Sequence, residues 1–280
     1  MKITVLIENS VCRINPNGVK GEHGISLFIE MNDKKVLFDT GKSGLFYQNA
    51  QKSGIDISEV DYLFISHGHF DHGGGLKKFL SVNQKAKIYL HRKALGKYYA
   101  KLLGIIPLYI GLNQKLWQQH QSRFVLLEND TKITNNLMVI ANFEHRFPIP
   151  KGNGSLYEKT DKKLQKDRFL HEIALILSEN DKNVVLTGCS HSGIVNMYHK
   201  AQSVLNGQKI DAVLGGFHIH NPVTKKNESK SYLDRLSDAL RETGATYYTG
   251  HCTGEKNYRY LKQHLGDALN TMRTGEIIEI

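Results

Sequence analysis

The sequence predicts a mixed α/β domain made of two strand-and-helix halves, and three observations carry that expectation. Short apolar runs of strand length alternate with amphipathic stretches of helical spacing along the 280 residues. In each half, apolar runs end directly in loops rich in histidine, glycine or cysteine. No linker between separate cores and no repeat of solenoid period interrupts the chain. A single domain over 1–280 is therefore expected. The composition, 40% hydrophobic and 23% charged, is that of an ordinary globular protein. A chain of this length buries a sizeable core without disulfide or metal staples. Any bound metal is then expected to serve function rather than folding.

Met1 to Glu8 reads as an opening strand and lacks the apolar centre of a secretion signal. Ser26–Met31 and Lys35–Asp39 flank Asn32-Asp33, a turn-rich break that predicts a hairpin. Leu45 to Ser53 has helical character, with Gly54 as its stop. Tyr62-Leu63-Phe64-Ile65-Ser66 is a buried-strand run that leads into a histidine cluster. Gly73-Gly74-Gly75 lets the backbone turn sharply before the amphipathic stretch Leu76–Leu80, and Lys87–Leu90 follows as a strand. From about 94 to 121 a helical insertion is expected. In the second half, Phe124–Ile140 holds strands, and Ile173–Leu177 pairs with Asn183–Leu186 across Glu179-Asn180-Asp181. Helices are expected over Gly193–Leu205, Ser229–Arg241 and Glu255–Leu265, with strands Asp211–Leu214 and Thr246–Tyr248 between them. Residues 151–168 hold six basic and three acidic side chains without apolar periodicity and read as a long polar loop.

Lysine and arginine outnumber aspartate and glutamate 37 to 27, a net charge of +10. The excess is spread over positions such as Lys52, Lys77, Lys78, Lys85, Lys97 and Lys101, with no arginine-rich block and no interleaved aromatics. That distribution favours a small anionic substrate over a nucleic acid. No apolar run approaches the roughly 18 residues of a membrane helix. The three cysteines, Cys12, Cys189 and Cys252, are odd in number and far apart, which argues against a disulfide framework. A cytoplasmic protein is expected.

The densest chemistry lies in His67-Gly68-His69-Phe70-Asp71-His72, three imidazoles and one carboxylate in six residues. Neutral imidazole and carboxylate are the usual ligands of zinc and also suit iron and manganese. At the end of a strand, His67 and His69 point the same way, so both can reach one ion. Asp71 and His72 fall in the following turn, where they can serve a second ion about 3.5–4 Å away. A solvated surface patch of histidines is the alternative, and the preceding apolar strand argues against it.

The pattern His67-x-His69-x-Asp71-His72 resembles the H-x-H-x-D-H signature of the metallo-β-lactamase superfamily. The similarity continues through Asp39-Thr40-Gly41, Thr187-Gly188-Cys189-Ser190-His191-Ser192-Gly193, Gly215-Gly216-Phe217-His218 and Gly250-His251-Cys252-Thr253-Gly254. Together these motifs resemble the branch typified by 7,8-dihydropterin-6-methyl-4-(β-D-ribofuranosyl)aminobenzene-5′-phosphate synthase, over residues from about 3 to 254. The resemblance implies a four-layer αββα sandwich, a dinuclear site for divalent transition metals (zinc first, iron or manganese otherwise), and hydrolytic or related transfer chemistry. It also implies an aspartate bridging both ions, followed by a late histidine. This chain has Cys189 where the bridging aspartate stands, with His191 two positions on, and either can fill that role. His251 matches the late histidine. His218 is expected to contact substrate or stabilise a transition state, and His220 to be a loop residue. His145 and His171 compete weakly for a further ligand position.

A metal-bound water has a pKa lowered to about 7, which makes hydroxide available at neutral pH. Asp71 can bind metal, orient that water or take a proton. Asp39 is a candidate to orient a ligating imidazole. There is no G-x-S-x-G elbow and no Walker loop to supply a rival nucleophile or phosphate cradle. A metal-dependent nuclease and a redox or metal-sensing protein are the alternative functions.

Overall fold

The computed structural model describes residues 1–280 except Pro16, Lys162 and Pro222. These residues form two compact units. One comprises Met1–Gly96, Gly111–Glu128 and Met272–Ile280, and the other comprises Lys97–Ile110 and Asn129–Thr271.

The first unit is a seven-stranded sheet in the order Ile277–Glu279, Lys2–Ile7, Ser26–Met31, Lys34–Phe38, Tyr62–Ile65, Lys87–His91, Phe124–Leu127. The predicted hairpin is present, with Leu27 opposite Phe38 and Ile29 opposite Val36. Its pairings are antiparallel up to Lys34–Phe38 and parallel beyond. Helices Leu45–Lys52 and Leu76–Val82 bury Phe46, Ala50, Leu76 and Phe79 in one apolar cluster with Leu37, Leu63, Ile65 and Ile88. Because Lys34–Phe38 and Tyr62–Ile65 run parallel, both finish at the same sheet edge. Asp39 N donates to Phe64 O at 2.8 Å there, so Asp39 and Ser66 emerge side by side. Open α/β sheets place ligands at such carboxyl ends of strands.

The second unit has a seven-stranded sheet in the order Leu269–Thr271, Thr246–Thr249, Ala212–Leu214, Lys182–Leu186, Ile173–Glu179, Leu137–Ala141, Thr131–Lys132. The predicted pairing of Ile173–Leu177 with the Asn183–Leu186 run holds, and Asn180 and Asp181 turn the hairpin at φ of 51° and 59°. Two consecutive positive φ values match the twist of the flanking strands, and asparagine and aspartate tolerate them best after glycine. Lys182–Leu186, Ala212–Leu214 and Thr246–Thr249 are mutually parallel, so the loops after all three leave from one edge. Helices Ile194–Val204, Lys230–Glu242 and Glu255–Leu265 bury Ile194, Met197, Leu236, Leu240 and Leu261 against Ile176, Val185, Val213 and Tyr247.

Two expectations are corrected. The 94–121 stretch is not a helical insertion: it holds the hairpin Lys97–Leu102 and Ile106–Tyr109, and its one α-helix is the short Gln114–Gln119. Leu103 and Gly104 turn that hairpin at φ of 51° and 77°, and the flanking tyrosines and isoleucines favour extended backbone. Residues 151–168 are not a structureless loop. They form a 3₁₀ turn, Lys151–Ser155, and strands Leu156–Lys159 and Leu164–Lys166, which extend the same small sheet. Backbone pairing rather than apolar periodicity holds them, so the hydrophobic pattern does not announce them. Among the described residues, no helix is long and apolar enough to cross a membrane. The fold class is mixed α/β, as expected.

Candidate metal centre

In the first unit, the strand Tyr62–Ile65 delivers Ser66 and His67, and the one-turn helix Phe70–Gly73 carries Asp71 and His72. All four predicted donors, His67, His69, Asp71 and His72, are buried and come together. His67 Nε2 lies 3.1 Å from His69 Nδ1, and His72 Nε2 lies 3.7 Å from an Asp71 oxygen. Asp39 organises them from below. Its buried carboxylate accepts from Ser66 N and Ser66 Oγ at 2.7 Å each and from His72 Nδ1 at 2.6 Å. A carboxylate only accepts, so His72 carries its proton on Nδ1 and keeps a lone pair on Nε2. The Ser66 hydroxyl is spent on Asp39, so His67 Nδ1, 2.9 Å away, donates to its oxygen and His67 Nε2 keeps its lone pair.

This arrangement fits a divalent ion. Two nitrogens at 2.0–2.1 Å from one tetrahedral zinc lie about 3.3 Å apart, close to the His67–His69 separation. Imidazoles that ligate metal usually give their other N–H to a carboxylate or hydroxyl partner, as His72 and His67 do. One neighbour escaped the sequence reading: His23 Nε2 lies 3.2 Å from an Asp71 oxygen. No local sequence pattern marked it; in the structure the flanking Gly24, at φ 140°, lets the backbone pass close to Asp71, since a Cβ there would stand 2.3 Å from Asp71 O.

In the second unit, Cys189 and His191 follow Lys182–Leu186, His218 follows Ala212–Leu214, and His251 and Cys252 follow Thr246–Thr249. His191 is held from three sides. Its backbone N–H and that of Ser192 donate to the buried Glu172 carboxylate at 2.7 Å each. The Phe169 ring stacks on its imidazole at 4.4 Å and 8°. Asn153 donates through Nδ2 to His191 O at 2.8 Å, so its Oδ1 accepts from His191 Nδ1 at 2.9 Å, leaving Nε2 as the lone-pair nitrogen. Burial pushes the Glu172 carboxyl above its ordinary range, against the hydrogen bonds it accepts from the Ser192 hydroxyl and from the backbone of Ser192 and His191.

The His191 and His218 rings approach to 4.0 Å between centroids. Burial raises the Cys252 thiol, but Cys189, His251 and His218 beside it together bring it well below the ordinary thiol range. His171 is paired with Asp167, Nε2 to Oδ2 at 3.1 Å, and its ring lies tilted against Tyr98 with centroids 4.1 Å apart. His145 is exposed, and His220 bonds Asn227 at 2.9 Å in its loop. Cys252, Glu172, Asn153 and Asp167 were not singled out from sequence. Only Cys252 carried a signal, as the neighbour of His251.

A family model described as the metallo-beta-lactamase superfamily matches residues 21–113. A solved metal-dependent hydrolase of the β-lactamase superfamily is 30% identical, with a TM-score of 0.82, covering 100% of this chain and 99% of that one. The chain belongs to the metallo-β-lactamase superfamily. Within it, the 7,8-dihydropterin-6-methyl-4-(beta-D-ribofuranosyl)-aminobenzene-5′-phosphate synthase of Methanocaldococcus jannaschii is 28% identical over 278 residues, 92% of this chain and 90% of that protein. An uncharacterized protein of the same organism is 28% identical over 265 residues, 93% of this chain and 94% of its own length. The superfamily's metal-dependent chemistry agrees with the donor cluster of the first unit. In this metallo-β-lactamase-superfamily chain the lone pairs of His67 and His72 are fixed by Ser66 and Asp39.

Proposed function

We propose that this protein is a metal-dependent hydrolase, or a related group transferase, acting on a small anionic substrate. The observation that carries the reading is the buried His67, His69, Asp71 and His72 set, with two of its imidazoles already held in the ligating tautomer by Ser66 and Asp39. The superfamily pattern adds His251 and the Cys189–His191 position to the ligands, for two divalent ions, zinc first and iron or manganese otherwise. Bound ions of this kind supply Lewis acidity and a nucleophile at neutral pH. Transfer stays in the reading because a relative is described as a synthase.

The chain's own residues supply the rest. Asp71 is placed to take a proton, and His23 Nε2, 3.2 Å away on a half-exposed side chain, is the next station towards water. A cavity of about 340 Å³ in the second unit is lined by Lys101, Lys151, Lys226, Tyr157 and Asn221. Three ammonium groups around a space of that size suit a small anion and raise its local concentration. Gly152, also on the wall, lets the backbone pass His218: a Cβ there would stand 2.6 Å from His218 O. The odd number and wide spacing of the three cysteines support a reducing, cytoplasmic location.

The test is metal analysis after reconstitution, joined to an activity screen over phosphodiesters, lactones and nucleic acid. About two ions per chain are expected. His69→Ala should lower both bound metal and turnover. Unchanged metal content in His69→Ala would overturn the assignment of that cluster.

A further inference from the structure

In the second unit, the hairpin of strands Lys97–Leu102 and Ile106–Tyr109 ends in an apolar tip that stays uncovered. Leu103 is 81% exposed and Ile105 74%, and Leu102, Ile106 and Leu108 beside them are exposed as well. Nearer its base the same hairpin does bury apolar groups: Ala100 clusters with Leu156 and Phe169, and Ile110 packs against them. Ala100 pairs with Leu108 and Leu102 with Ile106, so one apolar face runs outward past its own small core into solvent. Single exposed aliphatic side chains are ordinary, but a contiguous set at one loop tip marks a surface that binds something.

The strand register sends the charge to the opposite face. Lys97, Tyr99 and Lys101 alternate along one strand and therefore share a side. Tyr99 stands between Tyr109 and Tyr157, Lys159 stands opposite Lys97, and Lys166 opposite Tyr157. Within these four strands that face carries four lysines and three tyrosines and no carboxylate. Lys101 and Lys166 each hold their ammonium group 4.3 Å from the centre of the Tyr157 ring. Lys97 and Lys159 are both exposed, and like charges directly opposite each other weaken a sheet unless an anion lies over them.

We propose that this hairpin docks the protein on an anionic lipid bilayer, with the aliphatic tip entering the headgroup region and the lysines meeting lipid phosphates. At about 3.3 Å per strand residue, Leu103 reaches roughly 7 Å beyond Lys101, within the ~5–10 Å to which interfacial segments sink. Tyrosine suits the boundary behind such a tip, and lysine stems bury their methylenes while the ammonium stays at the phosphates. The charge fits an anionic surface, and the tip sets the choice of partner. A nucleic acid would use the lysines and tyrosines but has no use for exposed leucine and isoleucine. A second copy adding its own strand meets Pro107, which has no N–H to give, in the middle of the outer strand. The attachment is peripheral, needs only residues of the second unit, and goes beyond the hydrolase reading without depending on it.

Co-sedimentation of the full-length protein with vesicles tests this, using phosphatidylcholine alone or with about one quarter phosphatidylglycerol. Binding is expected on the mixed vesicles. It should weaken about tenfold or more on phosphatidylcholine alone, and likewise in ~1 M salt, where the Debye length is about 3 Å. Leu103→Asp/Ile105→Asp should weaken it about tenfold or more by removing the inserted side chains, and Lys97→Glu/Lys159→Glu by a similar factor through charge. His69→Ala should bind vesicles like the parent, which separates this surface from the metal assignment. Should the aspartate variant fail to fold, Leu103→Trp reports instead, its emission shifting to shorter wavelength on mixed vesicles beyond any shift of the parent. No binding to mixed vesicles, binding untouched by Leu103→Asp/Ile105→Asp, or no added shift in Leu103→Trp overturns the proposal. So does a dimer of the parent that the aspartate variant dissolves, or binding of single-stranded RNA in place of vesicles.

Discussion

Asp39→Asn isolates what the carboxylate beneath the histidine cluster does. Asparagine is nearly isosteric and tolerates the left-handed backbone that Asp39 adopts at φ 61°, so the turn itself is not strained. Its carbonyl oxygen can keep the bond from Ser66 N, which Asp39 Oδ1 now accepts at 2.7 Å. Its amide then faces Ser66 Oγ and His72 Nδ1, which are 2.7 and 2.6 Å from Oδ2. The serine hydroxyl rotates at little cost, but the imidazole has to accept where it used to donate. Its proton moves to Nε2, the nitrogen needed for metal. Loss of such an orienting partner typically costs 10–100-fold in metal affinity, about 1.4–2.7 kcal/mol. Two weakened charge-assisted bonds should take roughly 1–3 kcal/mol from the metal-free fold. Zinc titration against a chromophoric chelator reads the first quantity and chemical denaturation of the metal-free protein reads the second. Binding of zinc within twofold of the parent would refute the tautomer argument. Asp39→Ala is the poorer probe, because it removes the acceptor of three buried donors and mixes unfolding with ligand loss.

Three further substitutions or conditions test neighbouring parts of the structure. Gly24→Ala puts a methyl group 2.3 Å from Asp71 O in a backbone that disfavours it, and should cost about 1–3 kcal/mol in denaturation experiments along with metal affinity. An unperturbed midpoint would show that the loop yields. Glu172→Ala removes the acceptor of two buried N–H groups, His191 and Ser192, and should lower stability by about 1–3 kcal/mol per stranded donor, read by the same denaturation. Retention of full stability would mean that the loop is not held from Glu172. Raising salt should reduce kcat/KM only modestly for a small anion, whereas a nucleic acid would show a log–log slope of about −0.7 to −0.9 per phosphate contact. Tight, steeply salt-dependent nucleic-acid binding with metal-dependent cleavage would replace the proposed substrate class.

What the sequence displayed and what it hid follow from the range of the interactions. The His67–His72 cluster was legible because a local pattern, an apolar strand followed by four donors in six residues, states its own chemistry. Asp39 was legible as a partner because its turn belongs to the same motif set. The strand pair Ile173–Leu177 and Asn183–Leu186 was legible from alternation and turn residues alone. The hairpin Lys97–Leu102 and Ile106–Tyr109 was missed because Ile106 and Leu108 are exposed, so the apolar run reads as helix or strand with equal ease. The strands inside 151–168 were missed for the opposite reason: they are polar and held by ladder bonds to Lys97–Leu102. Glu172, Asn153 and Asp167 act on histidines 19, 38 and 4 residues away, and no local pattern marks a carboxylate that serves another loop's backbone.

The two donor clusters were built by one rule applied twice. In each unit parallel strands run to a common edge, and the loops that follow them carry the chemistry. The partners differ. The first unit surrounds its imidazoles with hydroxyl and carboxylate groups that fix their tautomers, which suits a hard or borderline ion and a reaction in which protons move. The second unit places Cys189 and Cys252 beside His218, while the imidazole of His191 is held by the side-chain amide of Asn153. Hydrogen-bonded nitrogen and soft sulfur select ions by different criteria, and a sequence that keeps both sets buried spends folding energy on each.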